Sequence, residues 1–250
     1  MKKYFVTAML CLLAVYGAVN YASAEVPASK LSEITFKDSD WDPVYLITRE
    51  KQPIYLKQLD FQLPPFPANE SAETKAELDT LLDMQKNQRT PETVAQIKIE
   101  NKGAPAYAFS QAGMLDLATH AKTVVLLGAI DRDIIFYLMR EKTKYHRARP
   151  TMLEPALTPV VPVPGHPAYP SAHSAEAHAA AYALAALDPA RAQEYIKLAD
   201  EISVRREIAG LHYPSDTKAG VDLAQAFYKE FIKVPEAQKL LTEAQQEYKH

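Results

Sequence analysis

From Ser71 onward, apolar residues recur at the spacing of an α-helix, and no segment alternates apolar and polar residues as a strand does. Residues 107–142 and the alanine-rich residues 172–187 are long enough to form core helices. Between them, residues 150–170 are rich in proline, which the interior of a regular helix does not accept. The pattern predicts an all-α fold, a compact helical bundle with a core of long helices.

Short boundary signals divide this pattern into elements. Thr90-Pro91 supplies an N-cap and a first helical residue for a helix expected from about Val94. Asp188-Pro189 opens a helix predicted to reach Gly210, a suitable C-cap. Residues 107–142 are predicted to form one or two helices, with Gly113 and Gly128 as breaks or close-packing points. A last major helix is predicted from Ser215-Asp216 to about Ile232. Residues 25–70, with scattered prolines and aromatics, are expected to form an extended arm on the helical core of residues 71–250.

Residues 1–24 have the features of a secretory signal peptide. Two lysines precede an apolar run that ends near Val19, and Ala22-Ser23-Ala24 provides a cleavage pattern. A membrane anchor is the competing interpretation, but the run is shorter than the ~20 residues that a spanning helix needs. We therefore expect a periplasmic or secreted bacterial protein in which residues 25–250 form a single domain.

Charge and cysteine content limit the classes of partner. The formal net charge of the chain is −3, which offers no basic footprint for a nucleic-acid polymer. Cys11 is the only cysteine, so no disulfide is expected after signal cleavage, and no remaining segment is apolar enough to span a membrane. These features favour a small soluble molecule as the partner and leave homo-oligomerisation possible.

Charge, histidine and proline are concentrated in three short segments that a plain helical bundle would not require. They are Lys142-x6-Arg149-Pro150, Pro170-Ser171-Ala172-His173 and Arg206-x5-His212-x3-Asp216. Lysine and arginine suit the oxygens of a phosphate, and histidine can serve as nucleophile or as general acid and base. Each segment alone is a weak signal, but the three in this order form a specific signature.

In these segments the chain resembles the phosphatidic acid phosphatase type 2 superfamily and, within it, the class A bacterial non-specific acid phosphatases. The resemblance covers roughly residues 128–225. Two positions depart from the family pattern, because Ala172 replaces the usual glycine and Arg205 replaces the usual serine. Alanine keeps the backbone N–H, and its methyl group is expected to narrow the pocket or to require a non-glycine backbone conformation. No role follows for Arg205.

The resemblance implies a metal-independent acid phosphatase that needs no cofactor and hydrolyses small soluble phosphate monoesters through a covalent phosphohistidine. His212 would be the nucleophile, Asp216 would orient its imidazole, and His173 would act as general acid and then as general base. Phosphate and vanadate would be inhibitors. The residues implied to bind phosphate are Lys142, Arg149, Ser171, Ala172 and Arg206.

Other basic residues near the motifs are interpreted as structural or solvated. We place Lys144, His146 and Arg147 at a solvated helix end, where basic side chains complement the helix dipole. His166 is interpreted as a solvated loop histidine, with a position at the pocket entrance as the alternative.

Four other functions fit parts of the pattern. A vanadium-dependent haloperoxidase would bind vanadate at the equivalent histidine, although those enzymes are larger. A lipid phosphatase would usually span the membrane several times. A zinc hydrolase would use His166, His173, His212 and Asp216, without the spacing of the known zinc motifs. A degenerate phosphate-binding protein would keep the anion site and lose turnover.

Overall fold

The computed structural model describes residues 28–248, so the predicted signal peptide lies outside the described residues. The described residues confirm the all-α fold, because they form helices and irregular segments and contain no strand. The helices are α1 (Ala28–Leu31), α2 (Pro43–Arg49), α3 (Ala72–Asn87), α4 (Pro91–Glu100), α5 (Pro105–Gln111), α6 (Ala121–Tyr145), α7 (Pro150–Leu153), α8 (Ala172–Leu187), α9 (Ala192–Ile208), α10 (Pro214–Phe231) and α11 (Pro235–Ala244). Short 3₁₀ turns cover Asp38–Asp40, Pro189–Arg191 and Gln245–Tyr248.

Helix α8 is central to the bundle and packs against α6, α9 and α10. Most of its alanines, among them Ala175, Ala179 and Ala183, are buried, and their small side chains let the neighbouring helices approach closely. Gly220 of α10 shows how close this approach is, since a Cβ atom there would lie 2.5 Å from the backbone oxygen of Ser171. A side chain at position 220 would therefore push α10 away from the start of α8.

Local sequence signals account for two helix ends. The Thr90 hydroxyl accepts a hydrogen bond from the N–H of Thr93, which confirms the predicted N-cap, although α4 begins earlier than predicted, at Pro91. Gly210 has a φ of +76° and follows the end of α9, as the predicted glycine cap requires. This left-handed residue turns the chain toward the loop that carries His212.

Residues 107–142, predicted to form one or two helices, form two, and the helix predicted to open at Asp188 starts later than expected. Residues 107–142 contain α5 and α6, which separate near Gly113, whereas Gly128 lies inside α6 and does not break it. The helix predicted to open at Asp188 begins with a 3₁₀ turn, and α9 starts at Ala192. Glycine in a helix interior costs only about 1 kcal/mol relative to alanine, so helix packing can override the break at position 128.

The predicted arm is not extended throughout. It contains α2, which Asp42 caps by accepting a hydrogen bond from the N–H of Val44. After α2 the chain is irregular and lies against α6, where the buried Asp133 carboxylate accepts hydrogen bonds from consecutive N–H groups. The donors are Ile54, Tyr55 and Leu56. Two short helices, a 3₁₀ turn and an irregular segment tied to α6 therefore replace the expected extended arm.

Three other short helices, α1, α7 and α11, are not part of the prediction. Helix α7 lies within the proline-rich segment and begins with Pro150, at the first helical position where proline is accepted. Helix α11 follows α10, which was predicted to be the last major helix. Of the helices in residues 28–248, none has the length and apolar character needed to cross a bilayer.

Candidate active site

The loop between α9 and α10 places His212 beside the first turn of α10. Helix α10 begins at Pro214, slightly before the predicted cap, and Tyr213 is its N-cap. The Asp216 carboxylate reaches back to this end, where its Oδ2 accepts a 3.0 Å hydrogen bond from the N–H of Tyr213. The same oxygen lies 3.2 Å from Nδ1 of His212. The start of the helix therefore holds the carboxylate that orients the imidazole.

Arg147 holds the other oxygen of Asp216, which corrects the prediction that this arginine lies at a solvated helix end. Its Nη1 donates to Oδ1 of Asp216 at 2.6 Å, and its Nη2 donates to Glu77 of α3 at 3.0 Å. Its guanidinium lies 3.8 Å from the ring centre of Tyr213. The side chain is only 1% exposed, because two carboxylates and an aromatic face replace water around its charge.

The two other residues of that prediction remain near solvent. Lys144 is exposed, as expected for a solvated helix end. His146 ends α6 with a φ of +48° and is half-buried, and its Nδ1 lies 3.2 Å from the carbonyl oxygen of Phe36. Of these three neighbouring basic residues, Arg147 alone enters the network around Asp216.

Arg149 contacts the second nitrogen of the His212 imidazole. Its Nη1 lies 3.1 Å from Nε2 of His212 and donates to the carbonyl oxygen of Leu211 at 2.9 Å. A guanidinium can only donate, so Nε2 accepts, and the ring proton lies on Nδ1, facing Asp216. This tautomer leaves the lone pair of His212 on Nε2, the nitrogen that faces Arg149.

Lys142 stabilises the chain segment that leads into the second motif. Its buried ammonium group donates to the carbonyl oxygens of Pro167 at 2.9 Å and Pro170 at 2.5 Å. These bonds fix the end of the proline-rich segment directly before Ser171. After burial, the Lys142 charge is the largest cause that lowers the pKa of His166, so the ammonium acts electrostatically on the site.

Arg206 has two buried nitrogens that the protein does not satisfy. Its Nη2 donates to Oε2 of Glu100 at 3.1 Å and to the carbonyl oxygen of Ile97 at 3.2 Å. Its Nε and Nη1 are buried and have no acceptor among the described residues. An unsatisfied buried donor costs about 1–3 kcal/mol, and more when it is charged. An anion with several oxygens would supply the missing acceptors.

Arg205, which departs from the family pattern, has a structural role. Its Nη2 lies 2.7 Å from Oε1 of Glu100, and its Nη1 lies 3.3 Å from Oε2 of Glu201. The two neighbouring arginines therefore share Glu100, each using one carboxylate oxygen. Arg205 helps to hold the carboxylate that positions Arg206.

The second motif forms the start of α8. Ser171 is the N-cap, and its Oγ accepts a hydrogen bond from the N–H of Ser174. The N–H of Ser171 donates to the carbonyl oxygen of Asp216 at 2.9 Å, which joins the second and third motifs. Within residues 28–248, His146 is the single non-glycine residue with positive φ, so Ala172 has an ordinary backbone conformation. The alanine therefore causes no backbone strain.

His173 follows in the first turn of α8 and shares a cavity of about 370 Å³ with His166 and His212. Lys142, Arg149 and Arg206 are buried and are not among the described residues that line this cavity. A larger groove of about 580 Å³, between residues 59–64 and α10, contains none of the motif residues.

Burial and positive charge keep the site imidazoles neutral. Burial first, and then Arg149, lowers the pKa of His212 to about 3. Burial and then Arg206 lower the pKa of His173 well below its ordinary value. Burial alone would raise the pKa of Asp216, but Arg147 and His212 outweigh it and leave that pKa below its ordinary value. His212 is therefore a neutral base beside an ionised carboxylate.

His166 is buried in the cavity wall, which corrects its interpretation as a solvated loop histidine. Its carbonyl oxygen accepts hydrogen bonds from Nε and Nη2 of Arg149, at 3.0 and 2.8 Å. Sequence reasoning undervalued it because a proline-rich loop usually lies at the surface. Across residues 28–248, no three or more His, Cys, Asp or Glu side chains are grouped in a way that could hold a metal ion.

Comparison with known proteins agrees with this arrangement of motifs. Residues 120–239 match the PAP2 superfamily. The PAP2 match contains all three motif segments and the helices α6, α8, α9 and α10. It does not include α3 and α4, which supply Glu77 and Glu100 as partners of the buried arginines. No match appears among curated protein sequences.

A solved structure is similar over most of the chain. The crystal structure of a bacterial vanadium-dependent iodoperoxidase aligns with a TM-score of 0.61 and 18% sequence identity. The alignment covers 83% of this chain and 64% of that protein, so this chain spans less than two thirds of the length of the peroxidase. At this identity the similarity shows a shared fold and no more.

Proposed function

We propose that the protein is a secreted acid phosphatase that hydrolyses phosphate monoesters through a covalent phosphohistidine on His212. The observation that carries the proposal is the pair of buried Arg206 nitrogens without an acceptor among the described residues. A phosphate monoester brings about two negative charges and several acceptor oxygens, which match these donors and the nearby Arg149. The PAP2 match over the motif segments supports the same chemistry.

In the first step, Nε2 of His212 attacks phosphorus, and the bond from phosphorus to the ester oxygen breaks. Arg149 must first turn its Nη1 from Nε2 toward a phosphate oxygen, which frees the nitrogen lone pair. Asp216 accepts the hydrogen bond from Nδ1 and stabilises the positive charge that develops on the ring. The bound phosphate raises the pKa of the nearby His173, so that this residue carries a proton and gives it to the leaving oxygen.

In the second step, water attacks the phosphohistidine. His173, now neutral, takes a proton from the water as the new P–O bond forms and the P–N bond breaks. Inorganic phosphate leaves, and His212 returns to its neutral form. Arg206 and Arg149 stabilise the charge on the transferring group in both steps. Stabilisation of this kind by fixed donors is usually the largest single contribution to catalysis. Both steps use only groups of this chain, of the substrate and of water.

The experiment is hydrolysis of p-nitrophenyl phosphate between about pH 4 and 8 with EDTA present. We expect EDTA-resistant activity that falls by about three orders of magnitude or more in His212→Ala. His120→Ala is the matched control, because this histidine lies at the start of α6 and does not line the cavity. A phosphoryl group trapped on His212 by alkaline quenching would identify the intermediate.

Other outcomes would replace the proposal. Activity that survives in His212→Ala would show that His212 is not the nucleophile. Activity that is lost with EDTA and restored by zinc would indicate a metal enzyme. Vanadate-treated protein that oxidises iodide faster than it releases phosphate would favour the haloperoxidase alternative. Export is part of the proposal, and amino-terminal sequencing of the protein recovered from the periplasm or the medium should begin at Glu25.

A further inference from the structure

Resting on the proposed function, we propose that the site selects phosphate monoesters whose organic group is neutral and has an apolar face, and that it discriminates against esters with a second anionic group. The inference concerns the outer part of the His173 cavity, where the organic group of a bound ester would lie. It is carried by the charges and the apolar surface of that outer part.

The outer part of the cavity offers no cation for a second anion. Among the described residues that line the cavity, none is lysine or arginine. The three basic residues of the motifs are buried, and their contacts are internal: Lys142 binds backbone carbonyls, Arg149 binds the His166 segment, and Arg206 binds Glu100. A single phosphoryl group can use these charges, but a distant carboxylate or second phosphate on the same ester cannot reach them.

Two acidic side chains line the cavity that would hold the organic group. Glu176 is on α8, one turn after Ala172 and His173, and lines the same cavity. Asp42 lines the cavity from the arm, and its N–H donates to the carbonyl oxygen of Gly165 at 2.8 Å, which holds the arm against the proline-rich segment. A second anionic group on the ester would be repelled by the Asp42 carboxylate, and the described lining holds no lysine or arginine to offset that repulsion.

The titratable groups around Glu176 belong to α6 and α8. Asp131 and Lys142 face it from α6, with opposite signs, and His173 precedes it on α8. Burial first, and then Asp131, raises the pKa of Glu176 well above its ordinary value. The raised pKa favours the neutral form of Glu176, so Asp42 is the lining carboxylate that would repel a second anion, and Glu176 supplies no positive charge to attract one.

The remaining wall of the outer cavity is apolar and partly aromatic. It is formed by Tyr45, Ile135, Met139, Pro162 and Val163. The Tyr45 ring is half-buried and meets the His166 ring edge to face, with ring centres 4.5 Å apart. Its position is therefore fixed by a buried neighbour, and an aryl group can pack against a preformed surface. A neutral aromatic alcohol matches both the charge and the shape of this wall.

The test compares phenyl phosphate, 4-carbamoylphenyl phosphate and 4-carboxyphenyl phosphate. The last two have nearly the same shape and differ in one negative charge. We expect the carbamoyl ester to have a kcat/KM about tenfold or more above that of the carboxy ester at pH 6–7. In Asp42→Asn, and in the double variant with Glu176→Gln, this ratio should fall toward the ratio of the intrinsic reactivities. Because the ratio is taken within each variant, differences in folded fraction cancel.

The apolar wall is tested by inhibition, which does not depend on turnover of the ligand. Phenylphosphonate should inhibit more strongly than methylphosphonate, and Tyr45→Ala should reduce that difference by about fivefold or more. Equal hydrolysis of the charged and neutral esters, or a ratio that does not change in the Asp42 and Glu176 variants, would overturn the inference and leave the phosphatase proposal intact. Failure to hydrolyse any of the three esters would overturn the proposed function and the inference together.

Discussion

Arg147 donates a 2.6 Å hydrogen bond to Asp216, the residue whose second carboxylate oxygen binds the imidazole of His212. Both partners of this bond are buried, and Arg147 extends the network to Glu77 on α3. A helix that lies outside the PAP2 match is thereby connected to the candidate nucleophile through two carboxylates and one guanidinium. This relationship leads to the first prediction.

Arg147→Met should reduce both stability and activity. The change leaves Asp216 and Glu77 buried without their cation, and breaking a buried ion pair in this way costs about 3–5 kcal/mol. Loss of the cation also raises the pKa of Asp216, which weakens its hold on the His212 proton. The free energy of unfolding, measured with urea, and kcat should both fall. The exposed control Lys144→Met should change neither by much. Equal stability of the two variants would contradict this account of Arg147.

Asp216→Asn should reduce kcat by about two to four orders of magnitude while phosphate still binds. The amide can present its N–H to Nδ1 of His212, which favours the tautomer with the proton on Nε2 and removes the nucleophilic lone pair. Competitive inhibition by phosphate in the weakly active variant measures binding separately from chemistry. A parallel loss of kcat and phosphate affinity would instead indicate that Asp216 supports the architecture of the whole site.

Arg206→Lys should weaken phosphate binding by about 10- to 100-fold, since it keeps the charge but removes the planar set of donors whose Nε and Nη1 lack an acceptor. Arg205→Lys is the matched control, because Arg205 uses its donors on Glu100 and Glu201. Calorimetric titration with inorganic phosphate and with vanadate measures the difference. Equal effects of the two substitutions would show that the unpaired nitrogens do not define the anion site.

Stability should fall as the pH is lowered from about 6.5 toward 3. The unfolded chain protonates its histidines near pH 6.5, whereas burial and then Arg149 keep folded His212 neutral until about pH 3. The unfolded state therefore binds more protons in this window, and each such histidine contributes a slope of about 1.4 kcal/mol per pH unit. The pKa values of His173 and His166 are lowered as well, because both side chains are buried and lie near positive charge.

Urea unfolding at pH 7, 5.5 and 4 checks this pH dependence. The slope of the unfolding free energy against pH should decrease in His212→Asn, because the asparagine side chain does not titrate in this range. Added phosphate should protect the folded state, because a ligand that binds only this state shifts the equilibrium toward it. An unfolding free energy that stays constant between pH 4 and 6.5 would contradict the neutral, buried state of the three histidines.

Ala172→Gly should leave activity within about threefold of the original and lower stability by about 0.5–1 kcal/mol. The position lies in the first turn of α8 with an ordinary helical backbone, so glycine gains no conformational advantage and loses more entropy on folding. Thermal unfolding and p-nitrophenyl phosphate hydrolysis measure the two effects. A large gain in activity would mean that the Ala172 methyl group obstructs the phosphate site.

Much of the secondary structure followed from the sequence, because its signals act over a few residues. Thr90 caps α4, Gly210 takes the left-handed conformation after α9, and the absence of strand-like alternation predicted the all-α fold. Of the two glycines offered as breaks, Gly113 lies between helices and Gly128 lies inside α6. The extended arm was wrong because a local signal was missed, since Asp42-Pro43 provides the same type of cap as Thr90-Pro91 and begins α2.

The sequence by itself determined which residues could carry the chemistry, since the three motif segments contain His173, His212 and the basic residues of the site. Only the tertiary structure decided which charges are paired with which. Arg147 meets Glu77 across 70 positions, and Arg206 meets Glu100 across 106. Pairings of this kind depend on how helices pack, because the cost of burying a charge selects partners by distance in space and not by position in the chain.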